Sequence, residues 1–459
     1  MNKSTLLKKG TIINEGLSFE GSLLIRDERI EKIIRVKDYD SAEIYSGIIS
    51  GIEKEAGETI DCSNLHIFPG IIDDHVHFRE PGNTWKADIE SESRAAVLGG
   101  VTSFMDMPNN TPPSTTIERL ENKYRIGEAK SFANYSFYLG AANDNIKEIR
   151  KINPEEICGI KVFMGSSTGN MLVDDPQTLE DIFKYSPTLI AAHCEDEKII
   201  GKNMKAAIAK YGENIPAEAH DSIRSRQACI KSSEKAIGLA EKYGSELHIL
   251  HISTKEEIEM LRRAALINDK ITGEICVHYL IFNRNDYKTY GNKIKCNPAL
   301  KDEEDMMALR KALKDRTIRV LGTDHAPHLK SEKDRTYKQA PGGLPLIRHS
   351  FQIMLELAEK GIFTLGEIAD SMSHAPADVF KIKDRGYVRE GYYADLVVAD
   401  LRKKDSESTI KPPYKCGWSP LEGKVFGSSV IHTLVNGTVV VKDGAITGLK
   451  NSKRLMFKR

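Results

Sequence analysis

The chain has 459 residues, 40% hydrophobic and 29% charged, with 66 Lys+Arg against 66 Asp+Glu. That length implies one large domain and a smaller companion, and the balanced charge offers neither a basic surface for nucleic acid nor an acidic tail. Seven scattered cysteines without a CxxC pair point to reduced thiols, and no apolar run of signal-peptide or membrane-spanning length is present, so a cytoplasmic globular protein is expected.

In chain order, residues 1–66 read as short strands and turns, at 11–16, 22–25 and 30–34, with no helical periodicity. The same character returns at 394–398 and 431–441. Both ends together are expected to build one small β-sandwich, from residues 1–66 and 386–459. The middle, 67–385, alternates strand and helix. Strands are expected at 71–77, 101–107, 135–140, 159–165, 188–194, 247–253, 273–279 and 318–324, with amphipathic helices such as 88–98, 116–129 and 303–313 between them. Eight such units predict an α/β fold, a (β/α)8 TIM barrel with its active site at the C-terminal ends of the strands. No Gly-rich phosphate loop favours an open doubly wound sheet.

The strand ends carry the chemistry. The run IIDDHVHFREPG places His75 and His77 two residues apart, on one side of a strand, with Arg79 in the same phase. Strand two leads into Asn109, strand four contains Lys161, strand five ends at His193 and strand six at His251. Strand eight leads into Asp324, His325 and His328. Taken singly these would pass for core histidines, a solvated lysine and a helix cap. Five of eight strand ends bearing ligand-type residues instead indicate a metal centre, since histidine and carboxylate are what catalytic zinc takes. A lysine ammonium cannot ligate, but its carbamate could bridge two ions, and six protein groups suit a pair of metals better than one.

These motifs, with HxHxREPG at 75–82, KVFMGSSTGN at 161–170, GTDHAPH at 322–328 and the returning GYYADLV at 391–397, resemble the amidohydrolase superfamily, and within it the dihydroorotase branch, over essentially the whole chain. The resemblance implies two zinc ions. His75, His77 and Asp324 would bind one and His193 and His251 the other, with carboxylated Lys161 and a hydroxide bridging them. It implies reversible closure of N-carbamoyl-L-aspartate to dihydroorotate in pyrimidine synthesis, with Asp324 as general base and acid. Arg79, Asn109, Asn297, His328, Gly342 and Gly343 would contact the substrate. The rigid Arg79 fork, a natural carboxylate partner, separates this reading from allantoinases and hydantoinases, which lack it, and the intact ligand set separates it from non-catalytic homologues. The partner is then a small molecule, with neither nucleic acid nor membrane involved, and the chain is expected to form a homo-oligomer, a dimer or a tetramer. The charged segment 329–340, with little apolar to bury, is expected to be a lid over the site.

Overall fold

The computed structural model describes residues 4–165 and 171–459. Residues 166–170, within the lysine motif, lie outside the described residues.

The amino-terminal strands β1 (Ser4–Asn14), β2 (Leu17–Arg26) and β3 (Arg29–Arg35) form an antiparallel meander, with β4 (Glu58–Asp61) and β5 (His66–Pro69) running parallel to β1. One helix, Ala42–Glu55, interrupts them, contrary to the all-strand expectation for this region. Ser41 caps it, accepting from the Ile44 N–H, and its Tyr45 and Ile49 pack on Leu6 and Ile34.

The barrel follows. Its strands are β6 (Ile71–Val76), β7 (Val101–Asp106), β8 (Asn134–Phe137) with its short continuation β9 (Leu139–Gly140), β10 (Ile160–Phe163), β11 (Ile190–His193), β12 (Leu247–Ile249), β13 (Ile271–Cys276) and β14 (Val320–Gly322). All pairings among them are parallel. The third strand is broken at Tyr138, whose N–H still bonds Asp106 O at 3.2 Å. Closure between first and last strands falls to a single parallel bridge, Val76 with His325, and the His77 N–H bond to His325 O at 2.8 Å. All eight expected strands are present, most of them shorter than their patterns.

Helices start where polar caps allow. Asp88 accepts from Ser91 N–H at the head of Ile89–Leu98, and Thr116 accepts from Arg119 N–H at the head of Ile117–Lys130.

From the C-terminus, β15 (Leu396–Asp400), β16 (Ser429–Val435), β17 (Thr438–Lys442) and β18 (Ala445–Ile446) complete a nine-stranded sheet, in which β15 docks antiparallel on β5. Both termini therefore share one β-layer, as expected. Asp395, in the GYYADLV return, fastens that layer to the barrel. Its carboxylate pairs with Arg385 and accepts from Asn134 Nδ2 at 3.1 Å and Asn436 N at 2.8 Å. Among the described residues no helix is long and apolar enough to cross a membrane.

Candidate metal centre and substrate pocket

The first and last barrel strands are stapled just below the mouth. Asp73 Oδ1 accepts from the N–H groups of His75 and Thr323, both at 3.2 Å, and the Thr323 hydroxyl donates to Asp73 Oδ2 at 2.6 Å. That staple brings His75 and His77 against Asp324, although they are 249 and 247 residues apart in sequence. Asp324 follows β14 by two residues and His251 follows β12 by two. Both, with Arg79, adopt left-handed backbone at φ 46°, 41° and 68°. Such a conformation in a non-glycine residue costs about 1–3 kcal/mol and tends to gather where side chains must be aimed.

One cavity of about 280 Å³ results, lined by His75, His77, Arg79, Asn109, Lys161, His193, His251, Asn297, Asp324, His328, Gly342 and Gly343, with Phe163, Ala326 and Pro341 completing the wall. Every residue singled out in the sequence as ligand or substrate contact reaches it.

Partners behind the histidines settle which nitrogen faces inward. His75 Nδ1 lies 2.5 Å from Glu274 Oε1, His77 Nδ1 lies 2.7 Å from Asn109 Oδ1, and His193 Nε2 lies 2.9 Å from Glu195 Oε2. Each outer nitrogen donates to an oxygen, so each inner nitrogen presents a lone pair. Burial holds all the rings neutral, His75 at about 3, His77 at about 4, and His193 and His251 below the ordinary value. Inside, Asp324 Oδ1 stands 3.1 Å from His77 Nε2 and 3.4 Å from His75 Nε2, and His193 Nδ1 stands 2.8 Å from His251 Nε2. Around His75, His77 and Asp324 acceptors thus converge on acceptors with no proton between them, which is the chemistry of a cation site. The ligand atoms of His75, His77 and Asp324 all lie within 4.8 Å of one another.

Lys161 sits in β10, 1% exposed, with Nζ 4.6 Å above the Phe163 ring. Burial pulls its ammonium down to about 8, against the attraction of Asp324 and Glu274. A lysine so placed is partly a neutral amine near pH 8, the form that reacts with carbon dioxide.

On the other wall Arg79 donates from Nε to Pro327 O at 3.1 Å and sets Nη2 3.0 Å from His328 Nε2. Asn109 spends its oxygen on His77, leaving its NH2 as the donor for a ligand. Gly343, at φ 135°, has no room for a side chain, since a Cβ would meet Ala326 O at 2.5 Å.

The profile of the Amidohydrolase family matches residues 66–440. The chain belongs to the amidohydrolase family. A dihydroorotase of Pyrococcus horikoshii is 31% identical over 440 residues, 95% of this chain and 94% of that protein. One of Methanothermobacter thermautotrophicus is 30% identical over 432 residues, 94% and 95% of the two chains. Among solved structures, the L-hydantoinase (dihydropyrimidinase) from Arthrobacter aurescens matches with a TM-score of 0.90 at 23% identity, covering 100% of both chains. That likeness carries the fold, a TIM barrel with a β-sandwich built from both termini.

Several residues of this amidohydrolase site escaped the sequence reading. Glu274 supports His75 and, through Oε1, the His251 N–H at 3.0 Å. Glu195 supports His193 and pairs with Arg224. A carboxylate inside an apolar strand (ITGEIC) or two residues past a strand-end histidine (HCE) was the available signal. Burial and the charge of Glu274 push the Asp74 carboxyl up to about 7, and burial with the charge of Asp324 pushes Glu274 up to about 7 against a hydrogen bond with Asp74. His278, expected to end strand seven, instead lies in the turn Val277–Leu280 after β13. His325 is structural: Nδ1 accepts from Leu346 N–H at 3.0 Å and Nε2 lies 2.9 Å from Glu92. The 329–340 segment does bury side chains, contrary to expectation. Lys333 is 1% exposed and donates to the carbonyls of Lys295, Pro341 and Gly343, and Tyr337 packs beside His220, 2.7 Å from its Nδ1.

Proposed function

We propose that the protein is a dihydroorotase, interconverting N-carbamoyl-L-aspartate and dihydroorotate in pyrimidine synthesis. The observation that carries this reading is the position of Arg79, a half-buried guanidinium on the wall of the same cavity as the imidazole–carboxylate cluster. A ring with an amide to be opened and a carboxylate to be held needs both walls at once. The relatives named dihydroorotases, matched over nearly their whole length, support the same reading.

His75, His77 and Asp324 would hold one zinc ion and His193 and His251 a second, with Lys161 as its carbamate reaching both. Bound there, the metals would polarise a carbonyl and lower the pKa of water. The chain's own groups do the rest. Asp324 takes a proton on one side of the reaction and returns it to the ring nitrogen. Arg79, the Asn109 amide and His328 hold the carboxylate that does not react, fixing the ring's orientation. Asn297 and the Gly342–Gly343 backbone line the remaining face of the ring.

The decisive assay gives the purified protein carbamoyl aspartate and dihydroorotate alongside hydantoin, allantoin and dihydrouracil, which lack the carboxylate. Turnover confined to the first two is expected. In Arg79→Met, kcat/KM should fall about a hundredfold or more, because a buried charge loses its partner. Preference for the uncharged rings, or an unaffected Arg79→Met, would refute the assignment.

A further inference from the structure

His328 lies between two cations. Arg79 Nη2 is 3.0 Å from its Nε2, and Lys86 Nζ is 3.1 Å from its Nδ1. Both cations are donors only, whereas a neutral imidazole accepts at one nitrogen and donates at the other. Protonating the ring cannot relieve the conflict, because imidazolium has no acceptor. Burial and the charges of Arg79, Lys86 and Lys333 in any case hold it well below its usual pKa, outweighing the nearby Gly342 carbonyl. One of the two contacts therefore sets a donor against a donor.

The surroundings of Lys86 decide which. Lys86 is fixed by Glu332 Oε1 at 2.8 Å and by its own backbone, whose N–H bonds Asn83 O at 3.1 Å. The other Glu332 oxygen stands 3.9 Å from His328 Nδ1, too far to accept a proton from it. Nδ1 is thus left to accept from Lys86, whereas the ring's one acceptor is the Gly342 carbonyl, and the Cδ2 edge next to Nε2 is the one that faces Gly343, so the ring proton is placed on Nε2, on the side of Arg79. Two N–H groups then face each other at 3.0 Å, an arrangement that an anionic acceptor shared by both would satisfy.

We propose that Lys86 is a positioning residue for the substrate carboxylate. Standing behind His328 and outside the cavity lining, it keeps the imidazole in the Nε2–H tautomer, so that His328 and Arg79 close on one carboxylate together. This rests on the dihydroorotase reading of the site.

Two measurements test it on the full chain. In ¹⁵N-histidine NMR the wild-type His328 signal, assigned by its loss in His328→Gln, should report a proton on Nε2, and Lys86→Met should move it toward Nδ1–H. In steady-state kinetics Lys86→Met should raise KM for dihydroorotate about tenfold, the value of one charge-assisted hydrogen bond, with kcat changed less than about threefold. Lys86→Arg should restore both. In a His328→Gln background the Lys86→Met effect on KM should shrink to less than about twofold, since a residue acting through His328 has nothing left to position. A wild-type Nδ1–H tautomer, an unchanged KM in Lys86→Met, or an equal rise in both backgrounds would overturn the proposal. The wild-type tautomer decides it whether or not the Lys86 variants fold. Wild-type protein inactive on carbamoyl aspartate would instead overturn the reaction assignment.

Discussion

In the terminal sheet, β15 sets Leu396, Val397, Val398 and Ala399 between β5 and β16, all fully buried and all apolar. At the barrel mouth, equally buried strand ends carry His75, Lys161, His193 and Asp324. The first arrangement gains free energy from every side chain removed from water. The second loses it, because buried polar groups are costly unless paired and buried charges more so. Residues kept in spite of such a cost mark the part of the fold shaped by chemistry, and the sheet marks the part shaped by stability. Substitutions in the two regions should therefore fail in different ways.

The sharpest separation is Lys161→Ala. Activity should drop about a thousandfold or more, the scale of losing a group that organises transition-state charge. Metal content, read by mass spectrometry, should fall with it, while the metal-free protein melts at or above the wild-type temperature because a buried ammonium is gone. Full metal content with wild-type turnover would remove Lys161 from the centre. Next is Glu274→Gln, which leaves the cavity's shape intact but weakens the acceptor behind His75. Metal affinity should fall about 10- to 100-fold, as for other groups that orient a ligating histidine. A competition titration with a chelator measures this, and an unchanged constant would show that Glu274 only fills space.

A smaller effect is expected from pH. Only a neutral amine takes up carbon dioxide, and burial lowers the Lys161 pKa to about 8. For metal-free protein depleted of carbon dioxide, the rate of carbamate formation at fixed dissolved CO2 should rise about tenfold per pH unit below 8 and level off above it. An exposed lysine would still be climbing at pH 9, so a rate that rises steadily through that range would contradict the burial argument. The least effect on catalysis belongs to Leu396→Ala in the sheet. It should cost about 2–5 kcal/mol of stability, seen as a lower denaturation midpoint, with KM and metal content of the folded fraction unchanged. A raised KM would mean that the sheet reaches the pocket, and the contrast between the two regions would fail.

Much of the barrel could be read from residues because its signals are local. A strand has a period of two, so His75 and His77 had to share a side, and Asp88 and Thr116 stand where helix caps belong. The helix Ala42–Glu55 could not be read this way. AEIYSGIISGIEKE is rich in β-branched isoleucine and glycine, which disfavour helix, and only the packing of Tyr45 and Ile49 against Leu6 and Ile34 selects it. The lysines of 329–340 misled for a related reason. Composition marks Lys333 as solvated, whereas three carbonyls brought together by the chain's return hold it inside.

The sequence by itself determined which residue types stand at the strand ends, and hence that a metal centre with an arginine beside it was to be expected. It did so because strand alternation and strand–helix order are properties of neighbouring residues. Only the tertiary structure decided which nitrogen of each imidazole turns inward, because that depends on oxygens supplied from elsewhere in the barrel, Glu274 for His75 and Asn109 for His77. The same holds for the tautomer of His328 between Arg79 and Lys86. Hydrogen-bond direction is set by contacts in space, and no spacing along the chain encodes it.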